Sequence, residues 1–168
     1  MVDHRSGPSA ISDRKNAEKA IWKSEEQFRT FINRHHAVML LIDPDSGVII
    51  DANQAATRFY GYSKDKLRAM NIADINQLAP EQIAAERLHA KMEKQNRFIS
   101  RHKLANNEVR TVEVYSTPID VKGQILLFSI VHDITEHEKC EQDLKMTVER
   151  LEELNTALKV ILRQVEES

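Results

Sequence analysis

The sequence predicts an α+β domain: one antiparallel sheet with helices packed on one face, and a helix flanking it at each end. Three observations carry this. Residues 38–52 hold two apolar runs around a proline–glycine turn and read as a hairpin. Residues 98–132 hold three more strand-like runs separated by tight turns. Between these blocks lie capped segments with helical spacing, and the order strands, helices, strands belongs to a sheet with segregated helices.

Bulk properties narrow the class. The chain has 168 residues, enough for one domain plus extensions. Apolar content of 41% supplies a core, while 30% charged residues and 4 glycines point to much solvated helix. A net charge of -2 gives no steering towards nucleic acid or an anionic membrane. The single cysteine, Cys140, excludes an internal disulfide framework. No apolar run is long enough for export or a membrane span, so a cytoplasmic protein is expected.

Taken in order, residues 1–11 read as a disordered lead-in. Ser12 to Arg34 is helical, with Ala17, Ile21, Phe28, Phe31 and Ile32 near one stripe; Ser24 and Gln27 form a candidate capping box, predicting a break near Lys23. Val38–Ile42 is a buried strand, Asp43–Gly47 a turn, and Val48–Ile50 the second strand. Asn53 caps a short helix that ends at Gly61, and Ser63 caps another that buries Leu67. Met70 to Leu78 is irregular, anchored by Ile72, Ile75 and Leu78. Pro80 opens a helix reaching to about Asn96, with Ile83, Ala84, Leu88 and Met92 on one stripe. Phe98–Leu104, Val109–Ile119 and Gln124–His132 are the remaining strands.

Alternation along these strands assigns their faces. Arg101 and Lys103 mark the wet face, leaving Ser100, His102 and Leu104 opposite; Val112, Val114 and Ser116 oppose Thr111, Glu113 and Tyr115. The last strand is apolar on both faces, with Ser129 among its inner residues, so its outer face needs a cover: the N-terminal helix or a partner subunit. The inner set, Ser100, His102, Val112, Val114, Ser116 and Ser129, has two readings. One is a small-molecule pocket; the other is a packed core with satisfied serines and histidine.

The C-terminal stretch carries a heptad seam. Leu144, Leu151, Leu158 and Val165 stand seven apart, with Val148, Asn155 and Leu162 four after the first three. Asn155 at an a position favours a parallel two-stranded register, and the phase extends back to Ile134. Apolar Leu154 and Ile161 broaden the seam towards a four-helix arrangement, and folding back onto the domain is the competing reading.

Leu41-Ile42-Asp43 with Gly47, Asp51–Ala56, Phe59–Ser63 with Leu67, Ser116–Ile119, the Gly123 turn and Asp133–Glu136 together resemble a PAS sensory domain. The resemblance covers residues 25–136, leaving 1–24 as lead-in and N-terminal helix and 137–168 as a signalling coil. It implies a five-stranded sheet in the order 2-1-5-4-3 with helices over its inner face. It also implies a prokaryotic signalling role, with Asp133, Ile134 and Thr135 as the junction through which a histidine kinase, diguanylate cyclase or transcription regulator is controlled. The heptads still run at Ser168, so a downstream output domain is expected, with a stand-alone adaptor as the other reading.

Asn71–Gln77, the region after Met70 where flavin photoreceptors of this family carry a cysteine, has none, and Cys140 lies on the exit helix, so adduct photochemistry is not expected. His89 is the residue that the resemblance offers as a haem ligand, but a lone helical histidine is ordinarily a surface residue. His35, His36 and His102 lack zinc-ligand spacing. No nucleophile elbow, phosphate loop or phosphoacceptor box is visible around His137 or elsewhere. The expectation is a non-enzymatic sensor and homodimerisation module. It senses an unknown small molecule or a partner, binds no metal, nucleic acid or membrane, and pairs through its N-terminal helix and C-terminal coil; a haem or flavin receptor is the alternative.

Overall fold

The computed structural model describes residues 8–167. In chain order it forms α1 (Pro8–Arg34), β1 (Val38–Ile42), β2 (Ile49–Ala52), α2 (Gln54–Tyr60) and α3 (Lys64–Arg68). A 3-10 turn (Ile72–Asp74), α4 (Pro80–Lys91), β3 (Arg97–Lys103), β4 (Val109–Val121), β5 (Gln124–Asp133) and α5 (Thr135–Glu166) follow. The strands make one antiparallel sheet in the order β2-β1-β5-β4-β3. The last strand in sequence is therefore central, paired with β1 on one side and β4 on the other.

Local chemistry sets the element ends. Asn53 sits in extended backbone and its side chain accepts from Ala56 N–H, opening α2; Gly61 closes it at φ 77. Ser63 accepts from Lys66 N–H and opens α3. Lys122 and Gly123, at φ 55 and 83, form a two-residue hairpin loop of the primed type, which matches the twist of the strands it joins. The core lies between the sheet and α2 to α4, built on Leu40, Ile49, Tyr60, Leu67, Ile75, Val112 and Leu127.

The Asp43–Gly47 turn ties several elements together. Asp43 accepts from Asp45 and Ser46 N–H, Arg87 of α4 donates to the Pro44 and Asp45 carbonyls, and Lys91 pairs with Asp45. Gly47 stands at φ 78, and a Cβ there would collide with Arg87 Nη1 and lie 2.8 Å from Asn71 Oδ1. Gly47→Ala is therefore expected to cost about 2 kcal/mol of stability in urea denaturation, from left-handed strain plus the clash. A loss under about 0.5 kcal/mol would contradict this packing.

Several expectations need correction. α1 already includes residues 8–11 and is unbroken at Lys23; Ser24 is a tolerable helix residue and no glycine or internal proline interrupts the run. The expectation for residues 1–7 lies outside the described residues. β2 is Ile49–Ala52 rather than 48–50. α4 stops at Lys91 because Glu93 takes φ 54. Its buried face is Ile83 and Ala90, whereas Leu88 and Met92 are half-exposed and Ala84 is exposed, because the helix turns a polar sector, Glu86 and Arg87, partly inward. The N-terminal helix does not seal the outer sheet face: between Phe28 and Ile32 on one side and Leu41, Ile119 and Phe128 on the other a groove of about 380 Å³ remains.

Candidate functional site

The inner sheet face and the start of α5 are the two places where polar chemistry gathers. On the inner face, β3 contributes Phe98, Ser100 and His102, which are buried in alternation with exposed Ile99 and Arg101. The register sets Ser116 of β4 opposite Ser129 of β5, and their hydroxyls bond to each other at 2.7 Å. The segment after the 3-10 turn runs beside the edge strand: Gln77 N–H donates to Arg101 O and Lys103 N–H to Ile75 O, both at 2.8 Å. This brings Asn76 opposite His102. α4 closes the space with Ile83 and Ala90.

What remains is a cavity of about 50 Å³, with apolar walls including Leu40, Phe98 and Leu127 and polar groups from Asn76, Ser100, His102, Ser116 and Ser129. Of the six pocket residues expected, Ser100, His102, Val114, Ser116 and Ser129 line it. Val112 does not: it is fully buried in the apolar core, outside the lining. His89 is exposed on α4 and also lies outside the lining, so its imidazole is not presented to this cavity.

Burial sets the electrostatics here. His102 is 2% exposed and its pKa is pushed down to about 4 by desolvation, so the ring is neutral near pH 7. Tyr60 is fully buried; its hydroxyl lies 2.9 Å from His102 Nδ1 and its pKa is pushed well above the ordinary tyrosine value by burial. Glu86 and Arg87 also line the cavity. Burial raises the Glu86 pKa and lowers that of Arg87, the latter against the opposing pull of Asp43 and Asp45. Sequence reasoning missed Tyr60 and Asn76. In sequence Tyr60 marks a helix end and belongs to the Phe59–Ser63 motif without any sign of a buried hydroxyl, and Asn76 sits in an irregular stretch that carries no periodicity.

The junction is stapled to β4. Ile134 N–H donates to Thr111 O at 2.9 Å, and Thr111 N–H donates back to Thr135 Oγ1 at 2.9 Å. Asp133 accepts from the Thr135 N–H at 3.0 Å and from its hydroxyl at 2.6 Å, so the carboxylate caps α5 from two residues before its first position. Arg110 links Asp133 to Glu108 through its two terminal nitrogens, while its Nε is buried without a partner among the described residues.

Beyond the junction, no residue of α5 is buried. The expected seam, Leu144, Val148, Leu151, Asn155, Leu158, Leu162 and Val165, is wholly exposed in the single chain. Between Ile134 and Leu144 the same heptad phase falls on His137 and Glu141, both exposed, so the apolar seam proper begins at Leu144. α1 likewise exposes Ile11, Ile21, Trp22, Phe28 and Phe31. Among the described residues no group of three or more His, Cys, Asp or Glu side chains is placed to hold a metal, and no helix is long and apolar enough to cross a membrane.

Comparison with known proteins agrees with this architecture. Diguanylate cyclase DgcM of Escherichia coli O157:H7 is 39% identical over 127 residues, which is 73% of this chain and 30% of that protein. The methyl sulfide methyltransferase-associated sensor of Methanosarcina acetivorans is 30% identical over 141 residues, 82% of this chain and 14% of that protein. The chain thus spans less than a third of either relative. The crystal structure of the PAS domain of an HTR-like protein from Haloarcula marismortui superposes with a TM-score of 0.64, covering 71% of this chain and 99% of that one, at 17% identity; this is a likeness of fold. The PAS domain family matches residues 36–136. With the five-stranded order and the relatives pointing the same way, the chain belongs to the PAS domain family.

Proposed function

We propose that this chain is the non-catalytic sensory and self-associating module of a larger cytoplasmic signalling protein. Its input is the cavity under α4, and its output is the helix α5, which leads to a downstream domain. A diguanylate cyclase output is favoured over a histidine kinase or transcription regulator by the 39% identity to DgcM. The observation that carries the reading is the junction: α5 leaves the central strand of the sheet through hydrogen bonds to Thr111, then presents an apolar seam that is exposed from Leu144 to Leu162. A helix fixed at one end and carrying an exposed apolar seam from Leu144 to Leu162 suits transmission to a second copy. Movement at the inner face would reach β5, then Asp133-Ile134-Thr135, then the crossing of two α5 helices.

The seam is the testable part. The chain is expected to sediment as a dimer, and Asn155→Val, which replaces the one polar residue among the expected a and d positions from Leu144 to Val165, is expected to tighten or enlarge the assembly. Monomers before and after the substitution, by analytical ultracentrifugation, would refute self-association through α5. A cavity of about 50 Å³ is small beside the roughly 300–1,000 Å³ of ordinary cofactor and ligand sites, which favours a small ligand over haem or flavin. Stoichiometric haem or flavin absorbance in purified protein would reverse that preference.

A further inference from the structure

We propose that the cavity beneath α4 receives a small uncharged carbonyl compound, whose oxygen takes hydrogen bonds from Asn76, Ser100 and His102. This rests on reading the cavity as the input site and names what enters it.

The first support is a set of unpaired polar atoms. Asn76, Ser100 and His102 are 7%, 4% and 2% exposed and all line the cavity. Among the described residues, Asn76 Nδ2, Ser100 Oγ and His102 Nε2 bond to no protein group, and they are not enclosed by packing as Arg110 Nε is. By contrast, the Ser116 and Ser129 hydroxyls satisfy each other. The three line one small cavity, so their hydrogen-bonding capacity is left for whatever occupies it.

The second support is the polarity of the set. Asn76 Oδ1 already accepts from Leu78 N–H, which leaves the amide NH2 for the cavity. The sole hydrogen-bond partner of the buried Tyr60 hydroxyl among the described residues is His102 Nδ1. If the hydroxyl donates to Nδ1, no proton is stranded, and His102 carries its own proton on Nε2, facing the cavity. The reverse assignment leaves the Tyr60 proton without an acceptor. The site thus offers two donors and a hydroxyl that can make a third, a combination matched by one acceptor oxygen.

The third support is charge and size. None of the three groups is charged, and burial keeps His102 neutral. Arg87 is committed to the Pro44 and Asp45 carbonyls, while the Glu86 carboxyl lines the same cavity and opposes an anion. A carboxylate would be desolvated there without a free cation, whereas a neutral carbonyl would not bear that cost. The volume of about 50 Å³ admits about four non-hydrogen atoms, with the alkyl part against Leu40 and Phe98. So small a ligand binds no tighter than about 40 μM.

Acetone, acetamide and acetate have nearly the same size and differ in charge, so they make the test. Each is titrated into 15N-labelled full chain while the His102 ring nitrogens are followed by NMR. Acetone and acetamide are expected to give saturable shifts at a protonated Nε2, acetate none, and Ser100→Ala to weaken binding about fivefold. Equal or stronger acetate binding, an unprotonated Nε2, unchanged affinity in Ser100→Ala, or no saturation by any probe (water alone in the cavity) would each overturn the proposal. These outcomes are separable from the sensory reading. Acetate binding as strong as that of acetone or stronger defeats the carbonyl assignment and leaves an input site; a monomeric chain that binds acetone does the reverse.

Discussion

Asn53→Ala is expected to lower the stability of the folded chain by about 4 kcal/mol in urea denaturation, a large share of a domain's total. The residue is 2% exposed and uses both ends of its amide. Oδ1 accepts from Met39 N–H at 3.1 Å and Ala56 N–H at 2.9 Å, holding β1 and capping α2. Nδ2 donates to Ile32 O at 3.1 Å and Ala37 O at 2.8 Å, holding the end of α1 and the lead into β1. Alanine strands two donors and two acceptors in or near the core, and each buried unsatisfied group costs about 1–3 kcal/mol where water cannot reach it. Asn53→Asp keeps both acceptor bonds but sets a buried carboxylate oxygen against the Ile32 and Ala37 carbonyls, so it should cost at least as much and speed hydrogen exchange in the last turn of α1. A loss below about 1 kcal/mol for alanine would mean that water replaces the amide and that α1 is not anchored through it.

Acid is the second lever. His102 has a folded pKa of about 4 against an ordinary value of 6.5. Below pH 6.5 the unfolded chain takes up a proton that the folded chain refuses, so stability is full above that pH and falls as the pH drops towards 4. The total loss is about 3 kcal/mol, from a difference of roughly 2.5 units at 1.36 kcal/mol per unit. Two carboxyls confine the window. Asp43 is held below 3.8, chiefly by the Ser46 N–H and also by that of Asp45, so its contribution is lost only at lower pH. Glu86 is raised above 4.5 by burial and acts in the opposite sense, favouring the folded state as it protonates. Comparing the parent chain with His102→Gln isolates the histidine: the slope of stability between pH 6.5 and 4 should flatten in the variant. An unchanged slope would show that His102 protonates freely in the folded state.

The sheet, most of its turns and the inward face of each of its last three strands were legible from the sequence. Period-two alternation and glycine or asparagine at turns act over a few residues, and the sheet preserves them. The expectation failed where distant groups decide. The stripe on α4 misled because its partners are a turn more than 40 positions earlier in sequence: Arg87 is drawn inward by the Pro44 carbonyl, and Leu88 is left outside. Val112 shares a strand face with Ser116, yet it packs in the core while Ser116 lines the cavity, because the helices cover that face unevenly. The Tyr60–His102 contact joins residues 42 positions apart and has no local signature. Asn53 was readable as a cap, since capping is local; its hold on α1 and β1 was not.

The polar interval between Ile134 and Leu144 makes α5 a lever with its fulcrum at Thr135. Those nine residues, at about 1.5 Å rise each, put about 14 Å of helix between the fulcrum and the first apolar seam residue. The 32-residue helix reaches about 48 Å from the sheet, so a tilt of only about 5° at Thr135 carries its far end through about 4 Å. That displacement is across the helix axis and is close to half the roughly 8–10 Å that separates packed helices, enough to open or close a seam against a neighbouring helix. Small adjustments of the central strand are thus enlarged mechanically before any partner is touched.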